Sequence, residues 1–231
     1  MLRILALETS GVTGGVAAAI DDKVLAEIDL EPSRRSAQSL APTIKALLDQ
    51  VGWQPRDVGL VAVTSGPGSF TGLRVGVATA KVFAYSTKAE VLGISTLETI
   101  AAAATTDIQR LSVACDAQRG DVVAQDFQRR TTGGLEPLGP DRLLPLADWL
   151  TGLPSGFAVS GPVLKKWTDP FPPGIQVLPA ELCQPTAANV ARLAHRDYCA
   201  GRRDDPWRLL PVYSRPSAAE EKAATTASEK G

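Results

Sequence analysis

The sequence contains a single histidine, His195, and only three cysteines, Cys115, Cys183 and Cys199. Catalysis by a Ser-His-Asp or Cys-His arrangement would depend on that one histidine as its base. A lone histidine inside a predicted late helix is more typical of a packed or solvated residue than of a ligand. The cysteines are far apart and odd in number, so they predict neither a metal site nor a disulfide framework. We expect a cytoplasmic protein without a metal of its own.

The sequence also lacks an excess of positive charge and any long apolar run. Its 24 basic and 25 acidic residues leave a formal net charge of −1. This balance gives no electrostatic reason to bind nucleic acid without a partner. No window approaches the roughly 18 apolar residues of a membrane span, and the N-terminal apolar run is brief. We expect neither a membrane span nor a secretory signal.

What is present is enough apolar material, 44% of the residues, to form packed cores. Patterning in the first part predicts the order β-β-β-α-β-α-β-α, which is a mixed sheet with helices on its faces. We divide the chain into a first lobe, 1–105, and a smaller second lobe, 106–216, whose last helix is free to pack back on the first lobe. Residues 217–231 carry no large apolar residue and are predicted to be disordered. The predicted elements of the first lobe are strands 3–8, 14–20, 23–30, 58–64 and 90–94, with helices 37–51 and 71–87 and an alanine-rich helix ending near 105.

The segment "TSGPGSFTGLRVGVATAK", residues 64–81, follows a predicted buried strand and opens a helix. It contains neither G-x-G-x-x-G nor G-K-[ST], so a Rossmann fingerprint and a Walker loop are both unsupported. Two interpretations stay open: an anion site at the helix N-terminus helped by Arg74, and a tight turn that needs Gly66 and Gly68. Ser69 or Thr71 is expected to cap the helix.

Two helices carry patterns that predict docking. In the helix after the glycine loop, Gly72, Gly76, Ala80 and Ala84 recur at intervals of four and would let another helix approach closely. The alternative is close packing against the chain's own first helix. That first helix has one apolar stripe and is expected to hold Pro42 in its first turn. The stripe consists of Leu40, Ile44, Leu47, Leu48 and Val51.

Five segments together resemble the TsaB family of tRNA threonylcarbamoyladenosine biosynthesis proteins, over about residues 3–216. They are "ILALETS", "GPGSFTGLRVGVATAK", "VLGISTLET", "DAQRGDV" and "LLPVYSRP". The resemblance implies the two-lobed α/β fold shared by actin, sugar kinases and heat-shock ATPases, which is ribonuclease H-like with mixed sheets. It also implies a bacterial, non-catalytic partner that activates TsaD. With TsaE, that enzyme places threonylcarbamoyl on N6 of adenosine 37 in tRNAs that read ANN codons.

The resemblance further implies that the two helices form the surface that pairs with TsaD or with a second copy. The residues assigned to this surface are Leu40, Ile44, Leu47, Gly72, Leu73, Gly76, Ala80 and Phe83. It implies no cofactor of the chain's own, and leaves open a homodimer and ATP or ADP at a subunit boundary. TsaD carries an H-M-E-G-H metal pair, whereas the aligned "GISTLETI" has Thr96 and Ile100 at the histidine positions and keeps only Glu98 between them. Ser36 also departs from the family pattern, where many relatives have a histidine.

The first predicted hairpin is the remaining candidate for chemistry. In the actin-like superfamily this turn offers an aspartate to the metal and hydroxyls to phosphates, and here Glu8 precedes Thr9, Ser10 and Gly11. The last three form a weak candidate nucleotide site, and the competing interpretation is a polar turn capped by its own hydroxyls. The alternative function is therefore an ATP-dependent enzyme such as a small-molecule kinase. Asp116 and Arg119 are equally compatible with a turn and with a ligand contact.

Overall fold

The computed structural model describes residues 1–31, 36–131, 133–167 and 171–214, which form two sheets with helices packed on them. The predicted tail, 217–231, and Arg215 and Pro216 of the last extended segment lie outside the described residues. The strands are β1 (Arg3–Glu8), β2 (Gly15–Ile20), β3 (Lys23–Asp29), β4 (Leu60–Gly66), β5 (Glu90–Ser95), β6 (Arg110–Asp116), β7 (Asp121–Arg129), β8 (Leu135–Pro137), β9 (Arg142–Pro145), β10 (Ala158–Ser160) and β11 (Gln176–Val177). The helices are α1 (Ser36–Val51), α2 (Phe70–Thr87), α3 (Thr96–Ala101), α4 (Leu146–Thr151) and α5 (Ala187–Cys199), with 3₁₀ turns at Pro55–Asp57, Pro162–Lys166 and Ala180–Leu182.

The first sheet has the strand order β3-β2-β1-β4-β5. Strands β1, β2 and β3 pair antiparallel, whereas β4 runs parallel to β1 and β5 runs parallel to β4. Parallel neighbours need a crossover connection, and α1 and α2 supply the two crossovers. This mixed sheet, with helices on its faces, confirms the predicted α/β fold class.

Alternate residues of the central strands face opposite sides of the first sheet, and both sides are covered. In β1, Leu5 and Leu7 join the core beneath α1 and α2, whereas Ile4 and Ala6 join the core beneath α5. Because both faces of β1 and β4 are buried, these strands are almost continuously apolar. The last helix of the sequence therefore lies on the first sheet.

Helix α1 begins one residue before the predicted start, and it differs from the prediction in the place of Pro42. The helix starts at Ser36, so Pro42 lies inside it, beyond the first turn, and the prediction for this residue was wrong. Proline cannot donate to the carbonyl four residues before it, which here belongs to Gln38. Both residues are exposed. The neighbouring Thr43 hydroxyl donates to the carbonyl of Ser39 at 2.8 Å.

The second sheet has the order β11-β10-β6-β7-β8, and β9 also pairs with β7. Its core includes Trp149 of α4, whose Nε1 donates to the hydroxyl of Ser112 at 2.8 Å, and Ser112 donates to Asp126 at 2.6 Å. Strand β8 lies within a proline- and glycine-rich segment, a composition that predicts turns or surface loops. Its three residues form a ladder with β7, so cross-strand pairing determined this segment more than its composition did.

Beyond α5 the chain turns at Gly201, which has a φ of +90°, and residues 202–213 cross the outer edge of the first sheet. We call residues 202–213 the C-terminal strap. Strand β5 is the edge strand on this side, and Gly93 within it donates its N–H to Asp204 and accepts from Arg202. Leu209 enters the core beneath α2. No helix in the described ranges has both the length and the apolar character to cross a bilayer.

Candidate functional site

The hairpin that joins β1 to β2 places a buried carboxylate where the first sheet meets the glycine loop. Glu8 is the last residue of β1, and only 1% of its surface is exposed. Its Oε1 accepts from the Ser10 N–H at 2.7 Å, the Ser10 hydroxyl at 2.5 Å and the Gly11 N–H at 3.2 Å. Its Oε2 is also buried and accepts no hydrogen bond from the residues the structure describes. Oε1 therefore accepts all three of these hydrogen bonds, and Oε2 accepts none of them.

Burial dominates the electrostatics of this carboxyl group. Removal from water disfavours the charged form and raises the pKa of Glu8 to about 7. Hydrogen bonds from Ser10 and Gly11, and the Thr64 hydroxyl, oppose the rise without cancelling it. Burial of Cys115 itself, together with the charge of Glu8, raises the pKa of its thiol to about 12. This thiol is therefore a poor nucleophile at neutral pH.

The predicted nucleotide residues are held within this hairpin. The donors that a phosphate would use, Ser10 and Gly11, already point at Glu8. Thr9 donates its N–H to the Thr64 hydroxyl at 3.2 Å, and its own hydroxyl is buried. The geometry is that of a polar turn closed by its own carboxylate. The assignment of Thr9, Ser10 and Gly11 to a nucleotide stays a prediction.

The glycine loop and the start of α2 pack closely against the backbone of the same hairpin. The Ser69 N–H donates to the carbonyl of Ser10 at 2.8 Å, and the Ser69 hydroxyl caps α2 by accepting from the Gly72 N–H. A Cβ atom at Gly72 would collide with the carbonyl oxygen of Thr9. A Cβ at Gly76 would collide with the Thr9 hydroxyl, with the Thr9 Cβ only 3.2 Å away. The small residues therefore serve close packing inside the chain.

This geometry corrects most of the predicted docking surface. Gly72 and Gly76 face Thr9, so a partner helix cannot lie against them. Four other predicted residues are buried in the chain's own core: Leu40, Leu47, Leu73 and Ala80. The pattern was misread because a small-residue stripe looks the same whether its neighbour is a strand hairpin or a second helix. Both partners require a close approach of backbones.

A different face of the same two helices is open. An apolar groove of about 740 Å³ lies between α1 and α2, and of the predicted residues it is lined by Ile44 and Phe83. Val82, 68% exposed, stands on its α2 side. The other lining residues are Ala41, Lys45, Leu48, Asp49, Trp53, Gln54, Pro55, Ala78, Thr79 and Ser86. The sequence signal for this face was a pair of apolar residues, Ala78 and Val82, each two positions after a member of the small-residue stripe of α2.

The residues aligned with the metal pair of TsaD lie on α3. Thr96, its first residue, and Ile100, near its end, are both buried, and the Thr96 hydroxyl has no hydrogen-bond partner among the described residues. The carboxylate of Glu98 accepts from Arg196 at 2.9 Å. His195 lies on α5, with its Nε2 3.4 Å from the Cys199 sulfur and 3.9 Å from an Asp21 oxygen.

Asp116 and Arg119 lie where β6 turns into β7. The carboxylate of Asp116 pairs with Lys166 at 2.7 Å. Arg119 lies in the turn, where its φ is positive and where Gln118 also has a positive φ. These observations fit the turn interpretation. The side chain of Ser36 is outside the described part of the chain.

The chain is similar to known proteins in sequence and in structure. Residues 23–184 match the family model described as "TsaD: tRNA N6-adenosine threonylcarbamoyltransferase". The chain is 36% identical over 149 residues to the Bacillus subtilis "tRNA threonylcarbamoyladenosine biosynthesis protein TsaB", an alignment that spans 64% of the chain and 65% of that relative. It is 29% identical over 230 residues to the Escherichia coli protein of the same name, spanning 96% and 98%. The solved structure "YeaZ from Pseudomonas aeruginosa" superposes with a TM-score of 0.76 at 26% identity, over 92% of this chain and 100% of that one.

Proposed function

Because the chain belongs to the TsaB family, within the group that the TsaD family model describes, we propose that it is a non-catalytic subunit that binds and activates a TsaD-type threonylcarbamoyltransferase. In this role it serves N6-threonylcarbamoylation of adenosine in tRNA, with TsaE as a further partner. The observation that carries the proposal is the groove between α1 and α2. It is apolar, it is bordered by exposed Val82, and no described residue fills it. Exposed apolar patches of this kind mark protein interaction sites.

The groove also suggests how the partner is held. Two further helices laid along α1 and α2 would cover Val82 and Phe83 and would leave Lys45 and Asp49 at the rim. These two already form an ion pair one turn apart on α1. Protein interfaces usually have apolar contacts at the centre and charged side chains at the edge. A second copy of the chain could occupy the same groove when the transferase is absent.

A matched pair of substitutions on α1 tests the proposal. Ala41 lines the groove and Ala46 does not, and both are exposed. Ala41→Arg should weaken binding of the TsaD-type subunit from the same organism at least tenfold, because the guanidinium would occupy the apolar contact. Ala46→Arg should bind like the unmodified chain. The measurements are calorimetric titration and tRNA threonylcarbamoylation by the assembled complex. If both variants bind normally, the groove is not the docking site and the proposal fails.

The hairpin argues against the alternative of an ATP-using enzyme. A phosphate at Ser10 and Gly11 would have to displace the Glu8 carboxylate from its donors, and Glu8 would then face the phosphate across a dry site. An ionised Glu8 would repel the phosphate strongly in this buried site unless a cation lay between them.

We therefore expect the isolated chain to hydrolyse ATP no faster than a protein-free control. Glu8→Ala should leave that background unchanged. The assay is phosphate release with magnesium, followed at neutral pH. Sustained hydrolysis by the purified chain that disappears in Glu8→Ala would favour the enzyme and overturn the partner role.

A further inference from the structure

The C-terminal strap is fixed on one side and exposed on the other. On the fixed side, the Val212 N–H donates to the carbonyl of Ser65 at 2.7 Å, and Lys81 donates to the carbonyl of Leu209 at 3.2 Å. The Tyr213 hydroxyl accepts from Arg74 of α2 at 2.8 Å. These contacts, with those at Gly93, hold the strap at both ends and in the middle. It is therefore a rigid part of the surface.

The outer side of the strap carries large apolar side chains in water. Trp207 is 76% exposed, and Leu210 and Val212 are more than half exposed. Among the described residues, the Trp207 ring contacts the ring of Tyr85 in an edge-on arrangement, with centroids 6.0 Å apart. Such residues on a rigid support are typical of protein interfaces, where tryptophan and tyrosine are enriched at the energetic centre.

This surface is continuous with the groove through α2. Val82 lines the groove, and Tyr85, three residues later, contacts Trp207. Side chains three apart on a helix are neighbours. Ala78 and Lys81 make the same connection one turn earlier, because Ala78 lines the groove and Lys81 bonds the strap. A partner seated in the groove would reach the strap without leaving the surface of α2.

A standard interface uses about 20 to 30 residues on each side, more than a single groove provides. A partner seated in the groove is therefore expected to cover one of its flanks as well. On the strap flank lie Tyr85, Trp207, Leu210 and Val212, all exposed and apolar or aromatic.

We infer that the C-terminal strap and the exposed side chains of Val82 and Tyr85 on α2 form the second half of the docking surface for the TsaD-type transferase subunit. The inference rests on the proposed function. Trp207 is the anchor and is expected to enter an apolar pocket of the partner. The charges around it are mixed, because Lys88 lies over the Tyr85 ring at 5.0 Å whereas the exposed Arg208 pairs with Asp205 at 3.7 Å.

The test uses Trp207→Ala, with Leu138→Ala as the matched control. Leu138 is 55% exposed and follows β8 of the second sheet. Trp207→Ala should weaken binding of the transferase subunit at least tenfold, Trp207→Phe should restore most of it, and Leu138→Ala should have no effect. Unchanged thermal unfolding of each variant would exclude a loss of fold. Leu210→Ser provides a second probe of the same surface and should also weaken binding.

The other outcomes separate this inference from the proposed function. If Ala41→Arg abolishes binding and Trp207→Ala does not, the strap inference is wrong and the groove stands. If neither variant affects binding, both are wrong. If Trp207→Ala binds the transferase normally but the assembled complex loses affinity for tRNA, the strap is an RNA surface and the inference is overturned. It is equally overturned if only self-association of the chain falls.

Discussion

Gly76→Leu is expected to lower the free energy of unfolding by about 2 to 3 kcal/mol, because it forces extra atoms into a closed space. The new side chain would begin in contact with Thr9 of the hairpin and with Val63 Cγ2, 3.2 Å from the new Cβ. Leucine is a better helix former than glycine by almost 1 kcal/mol. The variant is destabilised only if the cost of overpacking exceeds this local gain. Urea unfolding followed by circular dichroism gives the difference directly.

Ala78→Leu is the control for this experiment. Ala78 lies two residues later on the same helix and is exposed, so the same leucine should change stability by less than about 0.5 kcal/mol. A Gly76→Leu variant as stable as the control would show that the hairpin can move away from α2. The close contact between Gly76 and Thr9 would then make no measurable contribution to the free energy of unfolding.

Replacement of Glu8 by glutamine is expected to change how stability depends on pH. The pKa of Glu8 is about 7 in the folded protein, against an ordinary value of 4.5 for a glutamate exposed to water, so folding favours the neutral acid. Below the lower value both states are protonated and nothing is lost. As pH rises from 4.5 to about 7 the unfolded chain ionises first, so the folded state of the unmodified protein loses up to about 3 kcal/mol. Glu8→Gln lacks this loss and should be relatively more stable at about pH 8 than at about pH 4.

The measurement is the difference in unfolding free energy between the two proteins at several pH values, which cancels the titration of all other groups that behave alike in both. Ser10→Ala gives an independent check. It removes the hydroxyl that donates to Oε1 and stabilises the ionised form, so the midpoint of the loss should move to higher pH. A difference that does not vary with pH would mean that Glu8 keeps an ordinary pKa.

The strands and helices of the first sheet could be predicted because each carries its own periodicity. Strands such as β1 and β4 are short apolar runs between turn residues, and α2 begins at a serine cap. The three-residue strand β8 could not be predicted, because it depends on pairing with β7 rather than on its own composition.

The site was harder to predict because its meaning depends on distant contacts. The sequence marked Glu8 and the small residues of α2, yet it contains nothing that says Thr9 lies against Gly76. The groove was approached through Ile44 and Phe83, whereas its neighbours Ala78 and Val82 were missed. Periodicity shows that a helix has two apolar faces, but it does not show which face the chain itself will cover.

The C-terminal strap has a consequence for synthesis of the chain. The edge strand β5 consists of residues 90–95. Asp204, which accepts a hydrogen bond from Gly93 at this edge, is synthesised 111 residues after Gly93. Helix α5, which covers one face of the same sheet, is almost as late. Until then the first sheet of a nascent chain presents a bare edge and an uncovered apolar face, the two features through which unfinished chains adhere to one another. Completion of the first sheet is therefore one of the last events of folding, and nascent chains stalled within the second sheet should be prominent clients of chaperones.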